Sequence, residues 1–417
     1  MKLVIIGGGA SGMAAAIEAA RHNPSIEITI LEKMDRLGKK LLATGNGRCN
    51  FSNVGACTDN YYGKNKHFVN YCLNEFTVDN TVNFFNSMGI FPKEEERGKL
   101  YPFSAQASGV LDCLRLEIEH LGIKVINNFY VASVTKTKNK FKIESKITKT
   151  SKTEAIFADK LIIAGGGCAS PNLGSDGSCF NIFKALGHTQ TDIKPALVQL
   201  KTEPKEVKAL QGIKVNACLK LLHNDMYIAE DEGELLFTDY GLSGPPIFNL
   251  SAKIPFKQNV TAVIDFMPEY NPKDVFDILD FRRSCLSHTT MENFFTGILN
   301  KRIGNLIARR CNIEKLSFKV SALTNAQLWA MAAEIKEYQL SVLGTKGFSN
   351  AQVTAGGINT NEFNNKTMES LIIKGVYGCG EVLDIYGDCG GYNLQWAWSS
   401  GRLAGISATK ALEEKQK

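Results

Sequence analysis

Lys2-Leu3-Val4-Ile5-Ile6-Gly7-Gly8-Gly9-Ala10-Ser11-Gly12 lies at the head of the chain, and its reading decides the fold class. The apolar run reads as a buried strand, and Gly7, Gly9 and Gly12 fit the spacing G-x-G-x-x-G. Met13–Arg21 reads as an Ala-rich helix. Ile28-Thr29-Ile30-Leu31 reads as a second strand ending in Glu32, twenty residues beyond Gly12. Strand, glycine turn, helix, strand and terminal acid together predict a Rossmann-type dinucleotide site. The glycines let a pyrophosphate approach the backbone, and the helix start supplies amide donors and a positive dipole. Glu32 can accept hydrogen bonds from a ribose diol, and its charge disfavours a 2′-phosphate.

The chain has 417 residues, 44% hydrophobic and 22% charged, which predicts a globular protein of two or three domains. No apolar run reaches membrane-spanning length, and the first residues lack the cleavage pattern of a secretory signal, so no membrane association is expected. A net charge of +6 is spread along the sequence and makes nucleic acid an unexpected partner. Eleven cysteines without a C-x-x-C pair argue against a disulfide framework or a metal site and for a reducing cytoplasm.

Further along, residues 67–130 read as mainly helical, with Val69, Leu73, Phe76, Val82 and Phe85 at core spacing and a strand at 123–134. A hairpin is predicted from 140–147 and 154–157, joined by a Lys/Thr-rich turn. Leu161–Ala164 is a short apolar run feeding into Gly165-Gly166-Gly167-Cys168-Ala169-Ser170. No strand with a terminal acid follows that turn, so it reads as a cofactor contact rather than a second dinucleotide loop. Strands are expected at 195–200, 214–222, 225–229 and 260–266, then helices over 272–333. Glycine-rich texture returns after Gly344.

The fold class expected is therefore α/β. A discontinuous Rossmann-type domain (1–190 and 345–417) carries an inserted β-rich domain (191–270) and a helical subdomain (271–344).

Two later segments bear on the cofactor. Gly38-Lys39-Lys40-Leu41-Leu42-Ala43-Thr44-Gly45-Asn46-Gly47-Arg48-Cys49-Asn50 reads either as a loop wrapping an extended diphosphate or as a solvated turn. Gly375–Asp384 reads as a strand entering a Gly-acid turn. Gly390-Gly391-Tyr392-Asn393-Leu394 opens a helix through Ala404 whose amides can face a flavin edge, or which simply packs in the core.

With these motifs in place, the chain resembles bacterial NAD(P)/FAD-dependent oxidoreductases that include aminoacetone oxidase-like proteins and flavin reductases of bile-acid dehydroxylation. The resemblance rests on 38–53, 165–187, 233–251, 353–357 and 367–405, and it implies an inserted barrel-like domain. It also implies FAD as cofactor, with Gly7, Gly9, Ala10, Ser11 and Gly12 at the pyrophosphate and Glu32 and Lys33 beside the adenosine ribose. Lys40, Arg48, Cys49 and Asn50 would line the diphosphate and flavin, and Val131 would offer its backbone to adenine. Ala164, Gly165 and Gly166 would form the second glycine turn, and Gly380, Glu381, Asp384, Asn393 and Leu394 would complete the cradle. Asp239 stands where many relatives carry a histidine, which puts a proton-donating role there in doubt.

The activity expected is oxidoreduction of a small organic substrate, led by NAD(P)H-linked reduction of a C=C or C=O bond, with a steroid or bile-acid enone as one candidate. NAD(P)H would then be a transient electron donor. Amine oxidation with oxygen, a flavin-dependent RNA-modifying activity suggested by Arg282-Arg283, Lys301-Arg302 and Arg309-Arg310, and a flavin redox sensor are the alternatives. Tyr240, Tyr386 and Tyr392 are the candidate proton donors. Cys49 and Cys379 are candidate redox thiols lacking a neighbouring partner.

Overall fold

The computed structural model describes residues 1–146, 153–254 and 259–414. Met1–Pro195 with Ala351–Lys417 form one compact unit, and Ala196–Asn350 form a second.

The first unit is built on five parallel strands in the order Val376–Gly378, Lys160–Ile163, Lys2–Ile6, Glu27–Leu31, Lys124–Ile126. Pairing is parallel throughout. The central strands are almost wholly buried, which is why they read as continuous Val/Ile/Leu runs instead of alternating ones. Ala10–His22 is the first helix and Tyr392–Glu413 the last, nine residues longer than the sequence reading of its end at Ala404.

These two helices approach very closely. A methyl on Gly401 would lie 2.3 Å from the Ser11 carbonyl oxygen, and one on Gly405 2.3 Å from that of Ala15. Small residues on both faces thus let backbone meet backbone. Gly405→Ala is expected to overpack this contact and cost about 1–3 kcal/mol. Calorimetry should show the melting point falling by about 2–4 °C for each kcal/mol lost. An unchanged midpoint would mean the helices can part without cost.

Several boundaries differ from the sequence reading. The stretch 123–134 is two strands in different sheets, Lys124–Ile126 and Val131–Lys136, divided where Asn128 takes φ +57°. Within the supposedly helical 67–130, Pro92–Glu95 and Lys99–Pro102 form an antiparallel hairpin, turned by Arg97 at φ +60° and Gly98 at φ +70°. The later hairpin pairs Phe141–Lys146 with Thr153–Ala158, and its Lys/Thr-rich turn lies outside the described residues.

The second unit holds a closed six-stranded barrel in the order Leu200–Thr202, Gly241–Ser243, Met226–Phe237, Lys214–His223, Val260–Asp265, Tyr338–Thr345. The expected strand at 195–200 is broken by Leu197 at φ +50°. The strand read at 225–229 continues to Phe237 because its acidic stretch places charges on the outer face, where Glu234 pairs with Lys214 at 2.8 Å. Pro272–Cys285, Lys301–Arg310 and Asn325–Lys336 are the longer helices, and they share one apolar core with the barrel. Among the described residues no helix is long and apolar enough to cross a membrane.

Candidate functional site

The glycine turn sits at the carboxyl end of the first strand. Gly7 has φ +102°, and a side chain there would strike the Ala164 carbonyl oxygen at 2.6 Å, so the turn lies directly against Ala164–Gly165. A methyl on Gly12 would lie 1.9 Å from the Gly7 carbonyl oxygen. Gly9 differs, since a methyl there would meet no atom within 4 Å. That is the approach a diphosphate needs beside the uncapped start of the Ala10–His22 helix.

Glu32 is buried, and its two carboxylate oxygens are held separately. One accepts from the Gly8 amide at 2.7 Å and the other from the Met34 amide at 2.8 Å. The chain then runs back alongside, with the Phe129 amide donating to the Glu32 carbonyl at 2.9 Å, two residues before Val131. Lys33 turns to the second glycine loop and pairs with Asp176 at 2.5 Å.

The last helix fixes the opposite wall. The Ser400 hydroxyl accepts from the Gly380 amide at 2.9 Å, and the Trp396 indole donates to the Gly380 carbonyl at 3.1 Å. Gly380, at φ +74°, is thereby pressed against Ser11, whose hydroxyl would lie 2.4 Å from an added methyl. Lys40 pairs with Glu381 at 2.9 Å, and the other Glu381 oxygen accepts from the Thr354 amide at 2.8 Å. Thr354 in turn accepts from the Cys168 amide at 2.8 Å. Sequence reading did not single out Thr354. Its only signal was the short apolar-to-glycine stretch at 353–357.

At the start of the last helix, Gly391 takes φ +102° within 2.2 Å of the Ser52 carbonyl oxygen, measured from an added methyl. Asn393 is tied back to the preceding loop, donating to the Gly387 carbonyl at 2.9 Å and accepting from the Gly387 amide at 2.7 Å. Asn50 is buried there, and its side-chain oxygen has no hydrogen-bond partner among the described residues. A buried, unanswered acceptor is costly. Beside a helix start it fits a ligand edge carrying both donors and acceptors, as a flavin pyrimidine does. Leu394 packs partly buried against the main core.

Not every candidate points inward. Arg48 pairs with Glu95 at 3.0 Å and lies over the Tyr101 ring at 4.1 Å, so its guanidinium serves the 92–102 hairpin. Tyr240 belongs to the second unit, in the turn before Gly241, with Lys346 over its ring. Asp239 is exposed in the same turn. Tyr386 and Asp384 line a cleft of about 370 Å³ within the first unit, together with Tyr62 and Thr191. Burial, reinforced by Asp384 and Asp388, pushes the Tyr386 hydroxyl up to about 12. Burial also raises Asp384, against opposing hydrogen bonds from the Lys64 amide and Thr191.

Burial pushes the thiols of Cys49 and Cys379 up to about 12, which leaves them protonated and unreactive at neutral pH. A thiol reagent is expected to modify exposed Cys57 and Cys285 in the native protein and to reach Cys49 and Cys379 only on unfolding. Peptide mapping after timed labelling checks this, and early modification of Cys49 would reinstate it as a redox candidate. Ser370, His188 and Glu362 also form a serine–histidine–carboxylate chain, at 2.8 and 2.9 Å. The Ser370 hydroxyl already accepts from two backbone amides, and His188 is stacked on Phe363, so the trio staples a loop.

A parallel sheet with two glycine turns at strand ends and a pinned acid after the second strand defines a Rossmann-type nucleotide-binding protein. Residues 1–407 match the family model described as HI0933-like protein Rossmann domain, and the chain belongs to that family. It is an FAD-dependent oxidoreductase.

The chain is 37% identical over 413 residues to a 3-dehydro-bile acid delta(4,6)-reductase of Clostridium scindens, covering 98% of this chain and 99% of that protein. It is 29% identical over 403 residues to a ribosomal RNA dihydrouridine synthase of Escherichia coli, covering 95% of each. Among solved structures, a 3-ketosteroid-delta4-(5alpha)-dehydrogenase from Rhodococcus jostii RHA1 shares the fold. Its TM-score is 0.50 at 16% identity, covering 98% of this chain and 96% of that one.

Proposed function

We propose that the protein reduces the carbon–carbon double bond of a conjugated ketone in a small, steroid-like substrate, with NAD(P)H as the electron source. The observation that carries this reading is the end-to-end similarity to the bile-acid reductase. The residues present fit FAD. The amides at the start of Ala10–His22 would hold its diphosphate, Glu32 its ribose and the Val131 backbone its adenine. Lys40, Glu381 and Gly380 would line the middle of the cofactor, with Asn50 and the amides of 392–394 at the ring. When bound, the flavin supplies hydride chemistry.

The protein's own contribution is orientation and a proton. Saturating an enone requires a proton at the carbon next to the carbonyl. Tyr386, held in its protonated form and lining the cleft, is the donor we assign. Eleven free thiols support a cytoplasmic location.

The similarity to the dihydrouridine synthases supports a second reading, because a uracil ring also offers a carbon–carbon double bond conjugated to a carbonyl. The basic doublets argue against it. Arg282 donates to the Phe294 carbonyl, Arg283 to that of Leu323 and Arg302 to that of Gln211, while Arg310 pairs with Glu334. These four guanidiniums are engaged within the second unit, and Arg309, which is exposed, is the remaining one of the set.

Anaerobic stopped-flow tests the proposal. NADH or NADPH should bleach the flavin, and a 3-oxo-Δ4 steroid should restore its colour. Recolouring only by RNA would select the second reading. Oxygen uptake driven by an amine, with no bleaching by either nucleotide, would replace both.

A further inference from the structure

Thr354 joins the second glycine turn to the Lys40–Glu381 ion pair, a link that the hydride and proton chemistry does not use. It is fully buried, on the short strand Val353–Ala355. Its hydroxyl oxygen accepts from the Cys168 amide at 2.8 Å and from the Ala169 amide at 3.2 Å. Its own amide donates to one Glu381 oxygen at 2.8 Å, and the other Glu381 oxygen accepts from the Lys40 ammonium at 2.9 Å. Gly167 lies between the two acceptors. A methyl there would come within 2.3 Å of the Thr354 hydroxyl oxygen and 2.8 Å of the Glu381 oxygen. The segments so linked are anchored at the start of the first helix. The Gly38 amide donates to the Gly8 carbonyl at 2.9 Å, so the loop carrying Lys40 leaves directly from the first glycine turn. Gly380, next to Glu381, rests on Ser11.

Three amides, those of Cys168, Ala169 and Thr354, are served by two neighbouring oxygens. With the Thr354 hydroxyl present, the turn amides are answered and the carboxylate is left to Lys40. Without it, two donors would go unpaired, and an unpaired donor is costly enough to recruit any acceptor in reach. The Glu381 oxygen beside Gly167 is such an acceptor. A carboxylate drawn toward the turn would loosen its hold on Lys40. The Lys40–Glu381 pair carries no net charge, so what it offers a ligand is directed hydrogen bonding. The ammonium has two donors beyond the one given to Glu381, and the carboxylate has spare lone pairs. That set suits the hydroxylated stretch of FAD between its diphosphate and its ring.

We propose that Thr354 is a positioning residue for the cofactor. By answering the amides of the second glycine turn it reserves Glu381 for Lys40, and so fixes that pair for FAD. The proposal deepens the cofactor site described above and rests on it for the placement of the ligand.

Titration of the full-length apoprotein with FAD tests this. Thr354→Val keeps the shape and loses the acceptor, and should bind FAD about tenfold more weakly. Thr354→Ser keeps the acceptor and should stay within about threefold of wild type. In a Lys40→Met background the further change Thr354→Val should have no effect, because the threonine acts through that lysine. A second measurement needs no cofactor. In timed acetylation followed by peptide mass spectrometry, Lys40 should label faster in the Thr354→Val apoprotein, with unchanged rates at exposed Lys184 and Lys410. Buried Lys160 should stay unlabelled as the sign of an intact fold, and Thr354→Ala takes the place of the valine variant if Lys160 becomes reactive. Wild-type FAD affinity in Thr354→Val, or losses at Lys40 and Thr354 that simply add, overturns the assignment and leaves the placement of FAD intact. Gly9→Val checks that placement separately, since it fills the open approach beside the helix start. If Gly9→Val binds FAD as wild type does, the placement falls, while faster labelling of Lys40 would still uphold the link from Thr354 to the ion pair.

Discussion

Tyr386→Phe is expected to slow reduction of the enone by about 10²–10⁴-fold, the usual contribution of a positioned general acid. The change removes one oxygen and keeps the ring that packs at 5.5 Å against Tyr62, so the cleft wall should survive. Its hydroxyl is raised to about 12 by burial and by Asp384 and Asp388, so it carries its proton throughout the neutral range. Wild-type activity should therefore show no loss from this group until the pH nears that value. Single-turnover measurement with a 3-oxo-Δ4 steroid gives the rate directly, and bleaching by NAD(P)H in the same samples reports whether the cofactor site is intact. Tyr392→Phe is the matched control, because the Tyr392 position is held through its backbone carbonyl, which accepts from Tyr61 at 3.0 Å. A Tyr386→Phe protein that reduces the steroid at the wild-type rate would assign the proton to another group or to water.

Glu32→Ala should produce the second large effect, on FAD affinity. Loss of charge-assisted hydrogen bonds to the ribose would weaken binding by about 1.5–3 kcal/mol, roughly ten- to more than a hundredfold. The structure adds a cost that the sequence did not disclose. Glu32 also answers the amides of Gly8 and Met34, so its removal strands two donors at about 1–3 kcal/mol each where they stay dry. Glu32→Gln separates the effects, since a carboxamide oxygen can still serve one amide. Equilibrium titration of apoprotein with FAD, alongside denaturant unfolding without cofactor, gives both quantities. Unchanged affinity in a destabilised Glu32→Ala protein would make this acid a purely internal brace.

The features legible in the sequence were those written in short range. Gly7–Gly12, the buried strands around them and Glu32 lie within one continuous stretch, where glycine spacing and apolar runs carry the information. The start of the last helix was legible for the same reason, through Gly390-Gly391. What escaped depends on distant residues meeting. Lys40 and Glu381 are 341 positions apart yet form an ion pair, and Gly380, already at a positive φ, has no room for a side chain because Ser11 lies beneath it. Arg48 stands in a loop read as able to wrap a diphosphate, and its ion pair with Glu95 was not legible there. The Glu95 that holds it sits in a hairpin whose turn residues, Arg97 and Gly98, give only a weak local signal. The barrel strand Met226–Phe237 was cut short because a run of acids looks like a loop until its alternation is seen against Lys214 and Lys220.

The close contact between the Ala10–His22 and Tyr392–Glu413 helices has a consequence for how the chain is made. The central sheet also lacks its Val376–Gly378 strand until late in synthesis. The first unit therefore cannot close until Val376–Gly378 and the Tyr392–Glu413 helix have left the ribosome, although its opening strand emerges first. The second unit is continuous, and all six barrel strands lie between Leu200 and Thr345. The middle of the protein should thus become protease-resistant before its beginning, the reverse of the usual N-to-C order. Nascent chains stalled before residue 391 should yield a protected barrel fragment and retain no flavin. Cofactor capture then waits for the closing strand and the last helix, and a chain lost before they emerge never removes FAD from the cellular pool.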